Sequence, residues 1–353
     1  MLEPQQRLEA FVKLGALFRD YIQFKSRAAE EDREENHLFV QLDRSVDLAG
    51  QKNGWFTEDQ VQFALEVWGN CLAEERLSAW LEPYEITVNQ NKLVALILAG
   101  NIPLVGFHDL LAVLLSGNNA LVKLSSNDNV LLPALLNILE ELAPGMKNHV
   151  RFEDEMLKDF DSVIATGSNN TARYFEYYFG KKPNIIRRNR NSAAVLKGTE
   201  TKEELKALGR DVFQYYGLGC RSVSKLFIPQ DFNFDLLFEA FESYRYLLEE
   251  RKYQNNYDYN KAIYLMSKFP FLDNGFVMLK EDTSYASPIG TLFYERYEDL
   301  KQLKSQLQKD QEHIQCLVAK GFMENEVPFG RTQYPSLSDY ADGVDTVEFL
   351  LKT

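Results

Sequence analysis

Residues 93–126 read LVALILAGNIPLVGFHDLLAVLLSGNNALVKLSS, and this run decides the fold. LVALILAG is apolar but too short to cross a bilayer, so it reads as a buried strand. GNIP is a turn, HDLLAVLLSG is helical, and ALVKL is another strand. Strand, helix and strand in such close succession make a crossover unit whose two strands run parallel. The alternation continues with VLLPALLNILEELAP as helix, DSVIATG as strand, TARYFEYYFG as helix and AAVLKG as strand. Upstream, EITVNQNK predicts a strand and a turn at Asn89 to Asn91. A parallel sheet covered on both faces is the expected architecture.

Residues 5–80 predict helices. Leu8, Phe11, Val12, Phe18 and Ile22 share one helical stripe, with Gly15 its weak position. Thr57 with Gln60, and Thr201 with Glu204, have capping-box spacing. Beyond residue 200, GRDVFQYYGLGCRSVSKLFIP (209–229) ends a helix, passes Cys220 and enters a strand at VSKLFIP. A helix across FDLLFEAFESYRYLLEER and strands near GFVMLK and HIQCLVAK follow. The expected division is a domain over 1–198, a second over 199–325 and a C-terminal segment over 326–353.

The chain has 353 residues, enough for two cores, and 45% of them are apolar. Its net charge of −13 opposes duplex nucleic-acid binding, which depends on neutralising phosphates. Three cysteines make no disulfide framework, and no Cys/His spacing resembles a metal site. The start MLEPQQRLEAFVKLG lacks the apolar core of a secretory signal, and no apolar stretch is long enough to span a membrane. These features predict a cytoplasmic protein. Cys71 and Cys316 lie in packed helix and strand contexts, where a thiol is a small hydrophobe. Cys220 differs: it lies on a connection with Gly217 and Gly219 beside it, a setting that lets a thiolate meet an acyl carbon.

Three further strand ends carry small or polar residues: GNIP (100–103), VKLSSND (122–128) and ATGSNNT (165–171). Ligands of open parallel sheets bind beyond the carboxyl ends of the strands, so the three suggest one crevice. In order with Cys220, these motifs resemble the aldehyde dehydrogenase superfamily: its Asn-x-Pro, its Leu-Lys-Pro-Ser, its Thr-Gly-Ser and its Gly-Gln-x-Cys segments. The ending FGRTQYPSLSDYADGVDTVEFL is similar to the close of the LuxC-type acyl-CoA reductases within it. The resemblance implies an α/β chain with a Rossmann-type parallel sheet for the cofactor and a smaller α/β catalytic domain.

It also implies roles. Cys220 is the nucleophile that a thioester acylates, and Asn101 donates to the oxyanion. Lys123, Ser125, Ser126, Thr166, Gly167 and Ser168 bind the cofactor. Ser126 stands where many NAD-preferring members carry a Glu; a carboxylate there would repel a 2′-phosphate, whereas a hydroxyl can donate to it, so the expected cofactor is NADP(H). The superfamily's water-activating Glu has no counterpart in IIRRNRNSAAVL, which points from hydrolysis to thioester chemistry. The implied activity is reduction of an acyl-CoA or an acylated protein to the aldehyde, the acyl group being long-chain and the enzyme a homo-oligomer touching through EITVNQNKLVA and the C-terminal segment. Two alternatives stand beside it: an acyl-phosphate reductase using Arg221 and Lys225, and an inactive binding protein. Arg187, Arg188 and Arg190 read as a solvated basic turn ahead of a clasp for phosphates of coenzyme A or cofactor, His108 as a cap or packed residue ahead of a catalytic one, and the aromatic run 174–179 as core and surface of one helix ahead of an acyl-tunnel lining.

Overall fold

The computed structural model describes residues 2–26, 36–86 and 90–353. Of the expected strand and turn over 85–91, residues 87–89 lie outside the described residues; 85, 86 and 90 are not in a strand, and Asn91 has a left-handed backbone, φ 51°. The chain divides into two compact units, Met1–Arg188 with Ser336–Thr353, and Asn189–Pro335.

The first unit begins with four helices, α1 (Pro4–Ser26), α2 (His37–Lys52), α3 (Glu58–Cys71) and α4 (Glu74–Leu81). Phe11, Leu14, Phe18 and Tyr21 of α1 are each fully buried, the inward stripe that the helical period requires. Then come β1 (Leu93–Ile97), α5 (Phe107–Leu115), β2 (Asn119–Lys123), α6 (Leu131–Leu142), β3 (Val150–Phe152), β4 (Ser162–Thr166), α7 (Asn169–Phe179) and β5 (Asn184–Arg187). The five strands are all parallel, in the order β3-β2-β1-β4-β5.

Period-two alternation sends side chains to two cores. Val94 and Leu96 of β1, Ala120 and Val122 of β2 and Ile164 of β4 enter the larger one, with α1, α3, α5 and α6. Ala95, Leu121, Val163 and Ala165 enter the other, against Phe175 and Phe179 of α7. Helix α5 is apolar from Leu110 onward because it is enclosed: Phe107, Leu110, Leu111, Leu114 and Leu115 are at most 1% exposed. Each such burial stabilises by roughly 1.5–3 kcal/mol relative to exposure.

The second unit holds β6 (Asn191–Val195), α8 (Lys202–Phe213), β7 (Val223–Pro229), α9 (Phe234–Phe241), α10 (Arg251–Met266), β8 (Leu272–Asp273), β9 (Met278–Glu281), β10 (Thr291–Tyr297), α11 (Leu300–Lys309) and β11 (Ile314–Val318). Its sheet has the order β11-β6-β7-β10-β9-β8 and is parallel except for the edge pair β8 and β9. Phe227 of β7 packs with Ala193, Val195, Leu303 and Leu307. The helix expected across 234–251 breaks into α9 and a tighter 3₁₀ stretch, Glu242–Glu249, before Glu250 turns extended. There Phe213 meets Phe241 and Tyr244 with ring centroids 5.1 and 5.0 Å apart.

The division falls between Arg188 and Asn189 rather than near 198, because β6 pairs with β7 and β11 in the second sheet. Residues 336–353 pack on their own first unit. Trp80 Nε1 donates to the Tyr340 hydroxyl at 2.7 Å, and the Tyr84 hydroxyl donates to Asp345 at 2.7 Å. Val347 and Leu350 of the C-terminal helix (Thr346–Lys352) are fully buried. Among the described residues, no helix is long and apolar enough to cross a membrane.

Candidate active site

In the first unit, β1 and β4 are neighbours whose onward crossovers leave to opposite sides, towards β2 and towards β5. This is the switch point at which doubly wound sheets bind ligands. The turns that leave β1, β2 and β4 there carry Asn101, Lys123 to Ser126, and Thr166 to Ser168.

Asn101 is exposed, while Pro103 and Leu104 behind it are buried. Gly100 lets the first two turns approach, since a Cβ there would lie 2.7 Å from the Ser125 side chain. Leu104 has a left-handed backbone, φ 57°, and its N–H donates to the Asp128 carboxylate at 3.4 Å. Burial pushes the Asp128 carboxyl up to about 6, against the lowering effect of the Leu104 and Leu131 N–H groups. Ser125 Oγ accepts from Asn127 N at 3.2 Å and so shapes its own turn; Ser126 is exposed. Lys123 Nζ donates to the carbonyl oxygens of Asp154 and Glu155 at 3.1 and 2.9 Å. An ammonium has three donors, so one remains for a ribose hydroxyl. Gly167 N donates to Arg187 O, and Ser168 caps α7 by accepting from Thr171 N at 3.2 Å. An exposed hydroxyl, a lysine and a capped helix start at the switch point suit the nicotinamide nucleotide that the sequence implies.

One neighbouring feature corrects the sequence reading. Arg187 is not a solvated basic residue: it is 7% exposed, pairs with Asp109 Oδ2 at 2.5 Å and donates to Thr346 Oγ1. It ties β5, α5 and the C-terminal helix together. Arg188 is exposed and pairs with Glu176. His108 is packed, as expected. Its Nε2 lies 2.8 Å from Leu337 O, its ring sits among Trp68, Trp80 and Tyr340, and burial pulls its pKa down. Tyr174, Tyr177 and Tyr178 of α7 are exposed, opposite the packed Phe175 and Phe179.

Cys220 lies in the second unit, partly exposed and without a disulfide, whereas Cys71 and Cys316 are buried. Helix α8 starts at a complete Thr201–Glu204 capping box and ends at Phe213. The next turn is forced: Tyr215, Tyr216 and Gly217 all have left-handed φ, at 53°, 58° and 77°. Gly217 takes this without penalty, and the buried tyrosines take it at roughly 1–3 kcal/mol each. Ser192 Oγ donates to Cys220 O at 2.9 Å and accepts from Cys316 N at 3.1 Å. Arg221 Nε donates to Thr332 O at 2.6 Å. Asp211 of α8 accepts from Gly330 N, Thr332 N and Thr332 Oγ1, so the 330–332 stretch is fastened beside the cysteine segment. Burial pushes the Asp211 carboxyl up.

Lys225 is fully buried, 2.9 Å from Glu295 Oε2 and bonded to Asp282 O; burial pulls its pKa down. Asp128, Ser192 and Asp211 escape sequence reasoning because no motif marks a carboxylate or hydroxyl whose partners are backbone groups far along the chain. Only the position of Asp128, at the end of the VKLSSND turn, offers a signal.

No curated protein sequence matches this chain. A family comparison does: the stretch that contains Asn101, Lys123, Thr166 to Ser168 and Cys220 has the pattern of a described family. Residues 82–237 match acyl-CoA reductase (LuxC). The LuxC-matched stretch crosses from the first unit into the second and ends within α9.

Solved structures show the fold of both units in aldehyde dehydrogenases. Aldehyde dehydrogenase 21 of Physcomitrella patens, in complex with succinate, gives a TM-score of 0.63 at 11% identity, over 99% of this chain and 84% of that one. The NAD+ complex of a Bacillus cereus aldehyde dehydrogenase gives 0.60 at 13% identity, over 92% and 72%. A Burkholderia cenocepacia protein described as a possible aldehyde dehydrogenase gives 0.58 at 13%, over 84% and 70%. The LuxC-like reading of the sequence and its α/β fold therefore stand.

Proposed function

We propose that the protein is an NADPH-dependent acyl-CoA reductase that converts a long-chain acyl thioester to the aldehyde through acyl-Cys220. The LuxC match and the dehydrogenase fold support an oxidoreductase of acyl or aldehyde substrates, and the acid-free run IIRRNRNSAAVL and Ser126 favour a thioester and NADPH. One observation carries it: a single LuxC-matched segment includes every residue assigned to the chemistry.

The Cys220 thiolate attacks the thioester carbonyl, forms a C–S bond, and expels the coenzyme A thiolate. The Asn101 amide and the Cys220 N–H donate to the oxyanion, each donor contributing roughly 3–4 kcal/mol in the transition state. Lys123 orients a ribose, and Ser126 receives a 2′-phosphate. A reduced nicotinamide held by these turns would supply the hydride that the acyl carbon needs, and breaking the C–S bond would then return the Cys220 thiolate and free the aldehyde. Water-driven deacylation has no base among Ile185 to Leu196.

The cations that an acyl phosphate would require, Arg221 and Lys225, already serve Thr332 O and Glu295, which favours the thioester. A reducing cytoplasm suits a nucleophilic thiol that is kept out of disulfides, and light scattering tests the expected homo-oligomer. The decisive experiment incubates the protein with palmitoyl-coenzyme A and weighs the Cys220 peptide. An acyl adduct that disappears on adding NADPH is expected. Absence of the adduct, or an equal rate of NADPH oxidation in Cys220→Ala, overturns the reading.

A further inference from the structure

The turn that presents Asn101 leans on the turn that follows β2. It is five residues, Gly100 to Leu104, exposed at Asn101 and ending in a left-handed leucine. What holds it is the next turn. Ser125 packs against Gly100, Ser125 and Asp128 form a short backbone bridge, and the Asp128 carboxylate accepts the Leu104 N–H.

We propose that Asp128 is a positioning residue that fixes the Asn101 turn through the Leu104 amide. This rests on the oxyanion role given to Asn101 above. The two oxygens of the carboxylate are unequally served. Its Oδ1 is buried with no hydrogen-bond partner among the described residues, and burial holds its pKa near 6, so at pH 7.5 it is ionised at a cost to the fold. The groups that face it are the Leu104 N–H, the Leu131 N–H at the start of α6 and the Ser125 turn. From α2, Lys52 Nζ reaches Asn129 Oδ1 at 3.1 Å and Asn53 Nδ2 reaches Asn127 O at 3.2 Å, bracing the same turn from behind. A charged acceptor makes a shorter and stronger bond than a neutral one, so the ionised state is the one that grips Leu104.

Asp128→Asn keeps the shape and an acceptor but removes the charge. Its native acid is raised above the unfolded value, so the stability that the group contributes is present below about pH 4 and lost as pH rises through 6. At pH 7.5 the variant should therefore melt at the wild-type temperature or above. Hydrogen exchange over residues 99–106 should nonetheless quicken, and acylation of Cys220 by palmitoyl-coenzyme A should slow by about tenfold to a hundredfold. Wild-type acylation should lose rate below pH 6 in a limb that Asp128→Asn lacks.

Unchanged exchange over 99–106 overturns the proposal, as does quickened exchange with wild-type acylation. A lower melting temperature in parallel with slower exchange-independent activity marks a structural carboxylate and also overturns it. If the wild type fails to acylate, the proposed function falls, and the exchange result alone decides whether Asp128 holds the turn.

Discussion

Ser192 Oγ donates to the carbonyl oxygen of Cys220 while accepting the N–H of Cys316, so one buried hydroxyl joins the start of β6 to β11 and to the Cys220 segment. Both bonds fix backbone, not thiol. Ser192→Ala should leave the Cys316 N–H without its partner and cost about 1–3 kcal/mol, read as a lower unfolding midpoint in urea. It should also slow acylation of Cys220, because the carbonyl that orients its peptide is released. A variant with wild-type stability and wild-type acylation rate would contradict both claims.

His149 is a second buried group whose state is set by its partners. Its Nε2 lies 3.1 Å from the Leu2 N–H, which only an unprotonated nitrogen accepts, and its Nδ1 lies 2.8 Å from Asn119 Oδ1. Burial first, then the Arg7 charge, pulls its pKa down to about 4. A depressed histidine contributes stability that is present above the unfolded value near 6.5 and lost as pH falls through 4. His149→Gln should therefore lose less stability than the wild type between pH 6.5 and 4, by up to about 3 kcal/mol. Urea titrations at half-unit steps check this, and parallel curves for the two proteins would remove His149 from the acid response.

The C-terminal segment gives a third test. Tyr340 takes a hydrogen bond from Trp80 and lies 2.6 Å from the Tyr84 hydroxyl, within the run whose spacing resembles the LuxC ending. Tyr340→Phe should strand a buried indole N–H, cost about 1–3 kcal/mol and expose residues 336–353 to limited proteolysis. Cleavage at the wild-type rate would mean that the apolar contacts of Val347 and Leu350 suffice.

How far the sequence could be read follows from where each element draws its stability. The strands at 93–97, 119–123 and 162–166 are apolar because both faces are covered, so composition alone marks them. Strands β3, β5 and β8 are two to four residues long, with polar or exposed members, and are strands only because longer neighbours pair with them. Two Thr-x-x-acceptor signals of equal appearance part ways: Thr201 forms the full box with Glu204, while Thr57 makes no side-chain cap bond and Gln60 is 7% exposed. The candidate residues on turns stand out in the sequence because they follow apolar strands. Asp211 and Ser192 act on backbone more than 25 residues away, and Arg187 finds Asp109 at a separation of 78 residues, pairings that no local pattern encodes.

Ser126 decides between the two nicotinamide nucleotides in the proposed reading. It is exposed on the turn after β2, close in sequence to Lys123, where a carboxylate would repel a 2′-phosphate and a hydroxyl can donate to it. Two like charges about 4 Å apart near a protein surface oppose each other by roughly 4 kcal/mol before screening by salt, so even a fraction of that is a large change in preference. Ser126→Glu should weaken NADPH at least tenfold, about 1.4 kcal/mol, while NADH is weakened less or gains. Fluorescence titration of each nucleotide against the variant and the wild type reads this without turnover. A ratio that stays constant would take Ser126 out of cofactor choice and leave Lys123 and the Thr166 to Ser168 turn as the residues to vary next.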